Sequence, residues 1–182
     1  VRDSYVYVIS NFYADTAAPR ADTAAYIPKV QGSAMAVSDI YMPQRQMGDQ
    51  YTVITSFSLE NPSEKTDSKA VFGSSGMCYV STENIYVTEG WYGQDDAEVT
   101  RTSIRKVSYK DGILHGEAQT KVDGTLNDSF SIDEYNGYLR LVTTVSPVSS
   151  GDGGIARFFS GDTGGRQQED SNSLYVLDEN LE

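Results

Sequence analysis

The chain contains one cysteine and one histidine among its 182 residues. The lone Cys78 excludes a disulfide within the chain, and its setting in "GMCYVS" favours an inert thiol within a strand. The lone His115 leaves most zinc sites short of ligands and gives a histidine-based triad only one candidate base. Because His115 follows the "KDG" turn signal, we expect a solvated side chain with a structural role there.

Positive charge is also scarce, with 14 Lys and Arg against 26 Asp and Glu and a net charge of -12. This balance repels phosphate backbones and anionic membrane surfaces, so nucleic acid is not an expected partner. The charge is explained by solubility, with cation binding as the alternative. No run of 18 apolar residues and no basic, apolar leader occurs, so neither a membrane span nor a signal peptide is expected in these residues.

Strand signals outnumber helix signals along the chain. Tyr (13 copies), Val, Ile and Thr fill short runs, and no 11-residue window keeps the apolar spacing of an amphipathic helix. Turn signals separate the runs, at Asp111-Gly112, Asp123-Gly124 and Asn136-Gly137. The stretch "DSFSIDEYNGYLRLVTT", which begins at Asp128, predicts two strands around the last of these turns. The sequence therefore predicts an all-β protein.

One pair of strands recurs three times. Its first members are "DSYVYVIS", "ENIYVTEG" and "GYLRLVTT", and after a polar insertion come the second members "YTVITSFSLENP", "TSIRKVSYKDG" and "NSLYVLDENLE". A preceding strand is expected at "MCYVS" and "DSFSI", and a following strand at "GILHGEAQTKV" and, shorter, at "SKAVFG". Four antiparallel strands repeated every 40 to 50 residues or so are typical of a β-propeller blade.

These repeats predict about three β-propeller blades, over residues 1–72, 77–124 and 128–182 approximately. The first begins at its second strand and the last ends at its third, so the arc is incomplete at both ends. A propeller usually needs at least about four blades to close. An open arc exposes strand edges and two apolar blade faces, so self-association through these faces is an expected consequence.

The motifs "FSIDEYNGYLRLVTT" and "NSLYVLDENLE" resemble the signature of the secreted bacterial and archaeal β-propeller family, which is distantly WD-like. "VSDIYMP", "SFSLENPSEK" and "CYVSTENIYV" are also similar to that family and occur in the expected order. The resemblance implies a propeller fold and a secreted or cell-surface location, and this chain looks like a middle segment of the family domain. It implies no shared reaction or ligand, and no catalytic residues.

Three long insertions separate the second and third strands of the blades, at residues 11–50, 90–101 and 145–171. Because antiparallel strands alternate in direction, we expect all three insertions on one face, where binding loops are usually found. The second insertion, "GWYGQDDAEVTR", holds the only tryptophan. Trp91, Tyr92, Asp95 and Asp96 are therefore the candidate ligand-binding residues, suited to a sugar or a cation. The alternative is that the aromatic rings fix the loop to the scaffold.

No cofactor is expected, because the chain lacks the Asp-x-Asp-x-Asp-Gly calcium loop and both glycine-rich phosphate-binding spacings; calcium stays an alternative for the acidic loop. In the third insertion, Ile155, Phe158 and Phe159 are expected either to dock the loop or to meet a partner. Asp133 and Glu134 are neighbours in sequence, so we expect their side chains to point apart and not to form a glycosidase pair. Arg140 is expected to pair with a nearby acid or carbonyl.

Three hypotheses for function follow. The favoured one is a non-enzymatic module that binds a protein or glycan at the cell surface through the insertion-bearing face. The second is a hydrolase acting on glycans or peptides with loop carboxylates such as Asp95, Asp96 and Asp162. The third is a purely structural scaffold.

Overall fold

The computed structural model describes residues 1–42, 48–73, 76–92, 98–148 and 169–182. Within these ranges the chain forms thirteen strands and three short 3₁₀ turns, and no α-helix. The strands are β1 (Tyr5–Tyr13), β2 (Lys29–Val30), β3 (Ser33–Ala34), β4 (Ile40–Tyr41), β5 (Gln50–Ser58), β6 (Lys65–Phe72), β7 (Met77–Val80), β8 (Asn84–Trp91), β9 (Arg101–Lys110), β10 (Ile113–Asp123), β11 (Ile132–Tyr135), β12 (Tyr138–Val145) and β13 (Ser171–Leu177). The all-β prediction is confirmed.

The strands form three main sheets and one small hairpin. The strand order is β1-β5-β6-β4 in the first sheet, β10-β9-β8-β7 in the second and β11-β12-β13 in the third, while β2 and β3 pair with each other. In the second sheet, neighbours in space are also neighbours in sequence, as in an antiparallel four-stranded blade. The three sheets contain the three predicted strand pairs, β1 with β5, β8 with β9 and β12 with β13.

The predicted hairpin turns follow from left-handed backbone angles at two pairs of residues. Asp111 and Gly112 have φ angles of 50° and 79°, and Asn136 and Gly137 have φ angles of 52° and 81°. Positive φ at both central residues matches the right-handed twist of the flanking strands, and Asn-Gly and Asp-Gly adopt it most readily. The two turns join β9 to β10 and β11 to β12.

Two details differ from the sequence prediction. The stretch "DSFSI" does not form a strand throughout, because Ser129–Ser131 is a 3₁₀ turn whose N-cap Asp128 accepts a hydrogen bond from the Phe130 N–H. This side-chain acceptor favours a turn over an extended backbone. The first sheet also gains a strand that the repeat did not predict, since β4 pairs in parallel with β6 at Ile40 and Ala70.

The chain divides by its internal contacts into two compact units. The first contains Val1–Glu89 and Arg105–Ala118, and the second contains Gly90–Ile104 and Gln119–Glu182. Strands β8, β9 and β10 contribute residues to both units, so the units do not coincide with the three predicted blades. The boundaries of those blades stay a prediction.

The core of the first unit lies between the first and second sheets. Its buried apolar residues come from both sheets: Ile54, Val71, Ile85, Val87, Val107, Tyr109 and Leu114. Tyr7, Ile9, Tyr41 and Cys78 pack around them, half-buried. Burial raises the pKa of the Cys78 thiol, as we expect for an inert cysteine. Face-to-face packing of apolar sheets is the contact that joins blades in a propeller.

Three side chains of the first sheet bind the backbone at the start of β10, which is an edge strand. The Tyr7 hydroxyl accepts from the Gly112 N–H at 2.9 Å, the Asp67 carboxylate from Leu114 at 2.9 Å, and the Tyr41 hydroxyl from Gly116 at 2.8 Å. The three N–H donors belong to alternate residues, so they all point to the same side of β10, away from β9. The first unit therefore covers part of a strand edge with side chains instead of another strand.

The insertion between β1 and β5 covers the other face of the first sheet. A second apolar cluster joins sheet residues Tyr51, Val53, Ala70 and Phe72 to insertion residues Ala14 and Met35, with Phe12, Tyr26, Ile27, Val30 and Ile40 packed around them. The Tyr51 and Phe72 rings meet edge to face at 4.6 Å between centroids. This insertion is thus part of the fold of the first unit.

The second unit is built on the third sheet. Its buried apolar residues are Trp91, Ile104, Val122, Ile132, Leu139, Leu141 and Leu181. Buried threonines fix the link from β10 to β11: the Thr102 and Thr143 hydroxyls donate to the carbonyls of Gly124 and Asp123, both at 2.7 Å. Across the described part of the chain, no helix has the length and apolar character to cross a membrane.

Candidate functional site at the loop stems

In the second unit, the end of the second insertion pairs with the start of the third in one short ladder. Val99 bridges Pro147 in antiparallel fashion, the Thr100 N–H donates to the Ser146 carbonyl at 2.8 Å, and the Val148 N–H donates to the Glu98 carbonyl at 2.9 Å. The ladder joins residues 98–100, which end the second insertion, to residues 146–148, which begin the third. We call these six residues the joined stems.

Thr100 anchors the joined stems to the sheet below. Its hydroxyl accepts from the Ser146 N–H at 3.1 Å, and its carbonyl accepts from the Gly124 N–H at 2.6 Å. The Thr100 side chain is buried, so these bonds are shielded from water. The end of one insertion and the start of the next, 46 positions apart in the sequence, therefore share a fixed base.

Trp91 and Tyr92, two of the predicted ligand residues, have opposite environments. Trp91 ends β8 and is 5% exposed, whereas Tyr92 is 68% exposed. The Lys121 ammonium lies 4.3 Å from the centre of the Trp91 ring, a favourable cation–π contact that occupies a ring face. The buried indole Nε1 has no hydrogen-bond partner among the described residues. The buried Trp91 therefore anchors the end of β8, whereas the exposed Tyr92 is accessible to a ligand.

The predicted carboxylates Asp95 and Asp96 lie outside the described residues. The same holds for Asp162 of the hydrolase hypothesis and for Ile155, Phe158 and Phe159 of the third insertion. The roles of Trp91, Tyr92, Asp95 and Asp96 in ligand binding stay predictions. Within the described ranges, no group of three or more His, Cys, Asp or Glu side chains is placed to hold a metal ion.

Lys121 and Thr100 belong to this site, and sequence reasoning did not find them. Lys121 is one of several polar residues that alternate along β10, and nothing in that pattern marks its contact with Trp91. Thr100 precedes β9 as one of many threonines in the chain. The pairing of the stems shows the role of Thr100, and the contact with the Trp91 ring shows that of Lys121.

A concave surface lies in the first unit, where β9 turns into β10. This pocket of about 430 Å³ is lined by Glu83, Ser108, Tyr109, Lys110, Asp111, Ile113 and His115. Arg2 binds beside it: its guanidinium donates to the Tyr109 carbonyl at 2.8 Å and to the Glu83 carboxylate at 3.2 Å. His115 is exposed on the edge strand β10, as its place after the turn predicts. The mixed charges of the lining indicate no single class of ligand.

A buried ion pair constrains the turn after β6. Arg105 is 4% exposed and Glu89 is 9% exposed, and their side chains approach to 3.5 Å. Burial lowers the pKa of Arg105, and its Nε and Nη1 atoms have no partner among the described residues. A side chain at Gly73 would meet the Glu89 carboxylate at 2.8 Å, so the turn needs glycine there. The pair is a packing feature of the first unit.

Asp133 and Glu134 follow the strand alternation that the sequence predicts. Asp133 lies opposite Arg140 and Glu134 opposite Leu139, so the two carboxylates are on opposite faces of the third sheet. The Arg140 Nε donates to Asp133 at 2.9 Å, which confirms that Arg140 pairs with a nearby acid. This hydrogen bond and the positive charge of Arg140 lower the pKa of the Asp133 carboxyl. The two carboxylates do not face one glycosidic bond.

Comparison with known proteins identifies the class. The whole chain, residues 1–182, matches the family model described as "Beta propeller domain". The chain therefore belongs to this β-propeller family, which agrees with the repeated strand pairs and the four-stranded second sheet.

An uncharacterized protein of the archaeon Archaeoglobus fulgidus is similar to part of the chain. The two are 39% identical over 85 residues, which are 47% of this chain and 10% of that protein. The match spans about a tenth of the length of this relative.

Proposed function

We propose that this propeller segment is a non-enzymatic binding module of an exported protein, and that it contacts a protein or glycan at the cell surface through the insertions of the second unit. The joined stems carry the proposal. Loops held on a rigid scaffold are where binding residues concentrate, because the scaffold fixes the loop ends while the tips vary. Here one ladder fixes one end of each of two loops.

The exposed residue at the start of the second insertion favours a partner that offers both apolar and hydrogen-bonding groups. Tyr92 presents an aromatic ring with a hydroxyl tip and is 68% exposed. Such a side chain contributes apolar area and a hydrogen bond at the same contact. The contact between Lys121 and the neighbouring Trp91 holds the end of β8 in place. A glycan or a protein surface suits this arrangement.

The overall charge opposes other classes of partner. A net charge of -12 disfavours nucleic acid and anionic lipid surfaces. Export is supported by the resemblance of the motifs to secreted propellers. The hydrolase hypothesis depends on Asp95, Asp96 and Asp162, and no contact of the described residues favours it.

The test compares two tyrosines of similar exposure. Tyr92→Ser changes the proposed contact, and Tyr13→Ser is the matched control, because Tyr13 is 63% exposed in the first unit. The wild type and both variants are applied to an array of cell-surface glycans and to purified surface proteins. We expect Tyr92→Ser to bind the glycan or protein at least about tenfold more weakly than the wild type does. Tyr13→Ser should bind it as tightly as the wild type.

Two results would overturn this function. A wild type that binds nothing on the array would favour a scaffold. An equal loss of binding in both variants would place the contact away from the joined stems. Circular dichroism of each variant confirms that it is folded.

A further inference from the structure

A group of side chains from the first sheet closes one end of the β10 edge. Three of them accept the outward-pointing N–H groups of residues 112, 114 and 116, and a fourth donates a hydroxyl to the Gly112 carbonyl. These side chains and the backbone that they bind all belong to the first unit. We call the four side chains the edge cap: Tyr7, Ser56, Asp67 and Tyr41.

The edge cap occupies the positions that a partner strand would use. In an antiparallel pair, outward N–H groups recur at every second residue, about 6.8 Å apart, and each bonds a carbonyl of the partner. The Tyr7, Asp67 and Tyr41 oxygens meet three consecutive groups of this set at 2.8 to 2.9 Å. A second polypeptide can therefore pair with this end of β10 only by displacing the cap.

Glycine at two of the three capped positions lets aromatic rings reach the backbone. A Cβ at Gly116 would lie 2.5 Å from the Tyr41 ring, and a Cβ at Gly112 would lie 2.5 Å from the Tyr5 ring. Gly112 has the left-handed angle of the turn, whereas Gly116 lies inside the strand without a positive φ. Glycine inside a strand lowers stability, so the close approach of the Tyr41 ring is the physical reason for glycine at this position.

The carboxylate of the cap is held in place by its own neighbours. Asp67 Oδ1 accepts from the Ser68 N–H at 2.7 Å and lies 3.5 Å from the Lys69 ammonium, which leaves Oδ2 for the Leu114 N–H. Lys69 also binds Asp39 at 2.7 Å, so this cluster of two acids and one base keeps a net negative charge. A charge fixed against a strand edge is one of the features that oppose edge-to-edge pairing.

We infer that the edge cap keeps another polypeptide strand from adding to the start of β10, and that it thereby prevents edge-to-edge association of the chain. β10 is an edge strand of its sheet, and an edge with unpaired N–H and C=O groups is a template for pairing with another chain. The cap removes that template with side chains alone. The inference does not depend on the proposed binding function, because the joined stems belong to the second unit.

The experiment opens the cap and measures the solution mass. In the open variant, Asp67→Ala with Tyr41→Ala, the N–H groups of residues 114 and 116 lose their acceptors. Light scattering after size exclusion, at about 10 and 100 µM, compares this variant with the wild type, because association follows mass action. We expect the average mass of the open variant to be at least about twice that of the wild type at the higher concentration.

Asp39→Ala with Tyr26→Ala is the matched control. It removes the other carboxylate that binds Lys69 and another half-buried tyrosine of the first unit, but no acceptor of β10. Its mass should equal that of the wild type. Adding Gly116→Pro to the open variant should restore the wild-type mass, because proline removes a donor that points away from β9.

A milder variant keeps the test decisive if the open variant does not fold. Asp67→Ala with Tyr41→Phe retains the aromatic ring and removes both acceptors, so its mass should also rise with concentration. Circular dichroism identifies the folded variants. A folded variant that lacks both acceptors and keeps the wild-type mass would overturn the inference, as would association that persists after Gly116→Pro.

Discussion

At the scale of single residues, glycine is required at Gly124 for two separate reasons. Its φ angle is +88°, and a Cβ there would lie 2.5 Å from the Thr143 hydroxyl and 2.8 Å from the Thr144 carbonyl. Gly137 has a similar φ of +81° with nothing within 4 Å of a Cβ. The two positions therefore separate the cost of backbone conformation from the cost of crowding.

We expect Gly137→Ala to lower the free energy of unfolding by about 1 kcal/mol, the cost of a left-handed backbone. Gly124→Ala should lower it by about 3 kcal/mol, because overpacking adds to that cost. Urea unfolding followed by circular dichroism gives both values. Equal losses in the two variants would mean that the link after β10 moves aside freely.

At the scale of the element, the edge of β10 depends on side chains from the first sheet. Tyr7 and Tyr41 each accept a backbone N–H, from the buried Gly112 and the exposed Gly116. Burial also raises the pKa of Tyr7, whereas water can replace the bond at Gly116. The hydrogen bond from Gly112 to Tyr7 therefore contributes more to the free energy of folding than the bond from Gly116 to Tyr41.

We expect Tyr7→Phe to lower the free energy of unfolding by about 1 to 2 kcal/mol, because it leaves the Gly112 N–H without a partner. Tyr41→Phe should lower it by less than about 0.5 kcal/mol. Both variants keep the aromatic ring, but only Tyr7→Phe leaves a buried N–H donor without a partner. Urea titration of the two variants against the wild type measures the difference. A larger loss in Tyr41→Phe would show that solvent does not reach Gly116.

Elements with a strong local signal were predictable from the sequence, and those held by distant contacts were not. Asp111-Gly112 and Asn136-Gly137 specify two hairpins because each pair favours positive φ. The two-residue strand β4 has no periodicity of its own, and it pairs with residues of β6 that lie thirty positions later. At residues 129–131, the Asp128 cap outweighs the strand propensity of Phe130.

The candidate site shows the same limit. The tryptophan and tyrosine of the second insertion were found from their residue types, because exposed aromatic rings beside acids suit binding. Their opposite burial was not predictable, since it depends on Lys121 reaching the Trp91 ring from β10. The bond between the two insertions was hidden too, because it joins Thr100 and Ser146 through backbone atoms that every residue carries.

At the scale of the whole molecule, the net charge and the apolar core act in opposite directions. The chain carries a charge of -12, so its acidic side chains repel one another when the chain is compact. This repulsion between exposed charges is long-range and screened by salt, whereas the burial of apolar side chains is short-range and is not weakened by it.

We expect the free energy of unfolding to rise by about 1 kcal/mol between about 10 and 500 mM sodium chloride, because the Debye length falls from roughly 30 Å to a few Å and the repulsion within the compact chain is screened. Urea unfolding at both salt concentrations, followed by circular dichroism, measures the difference. A free energy of unfolding that falls as salt rises would show that ion pairs such as Asp133 with Arg140 outweigh the repulsion between like charges.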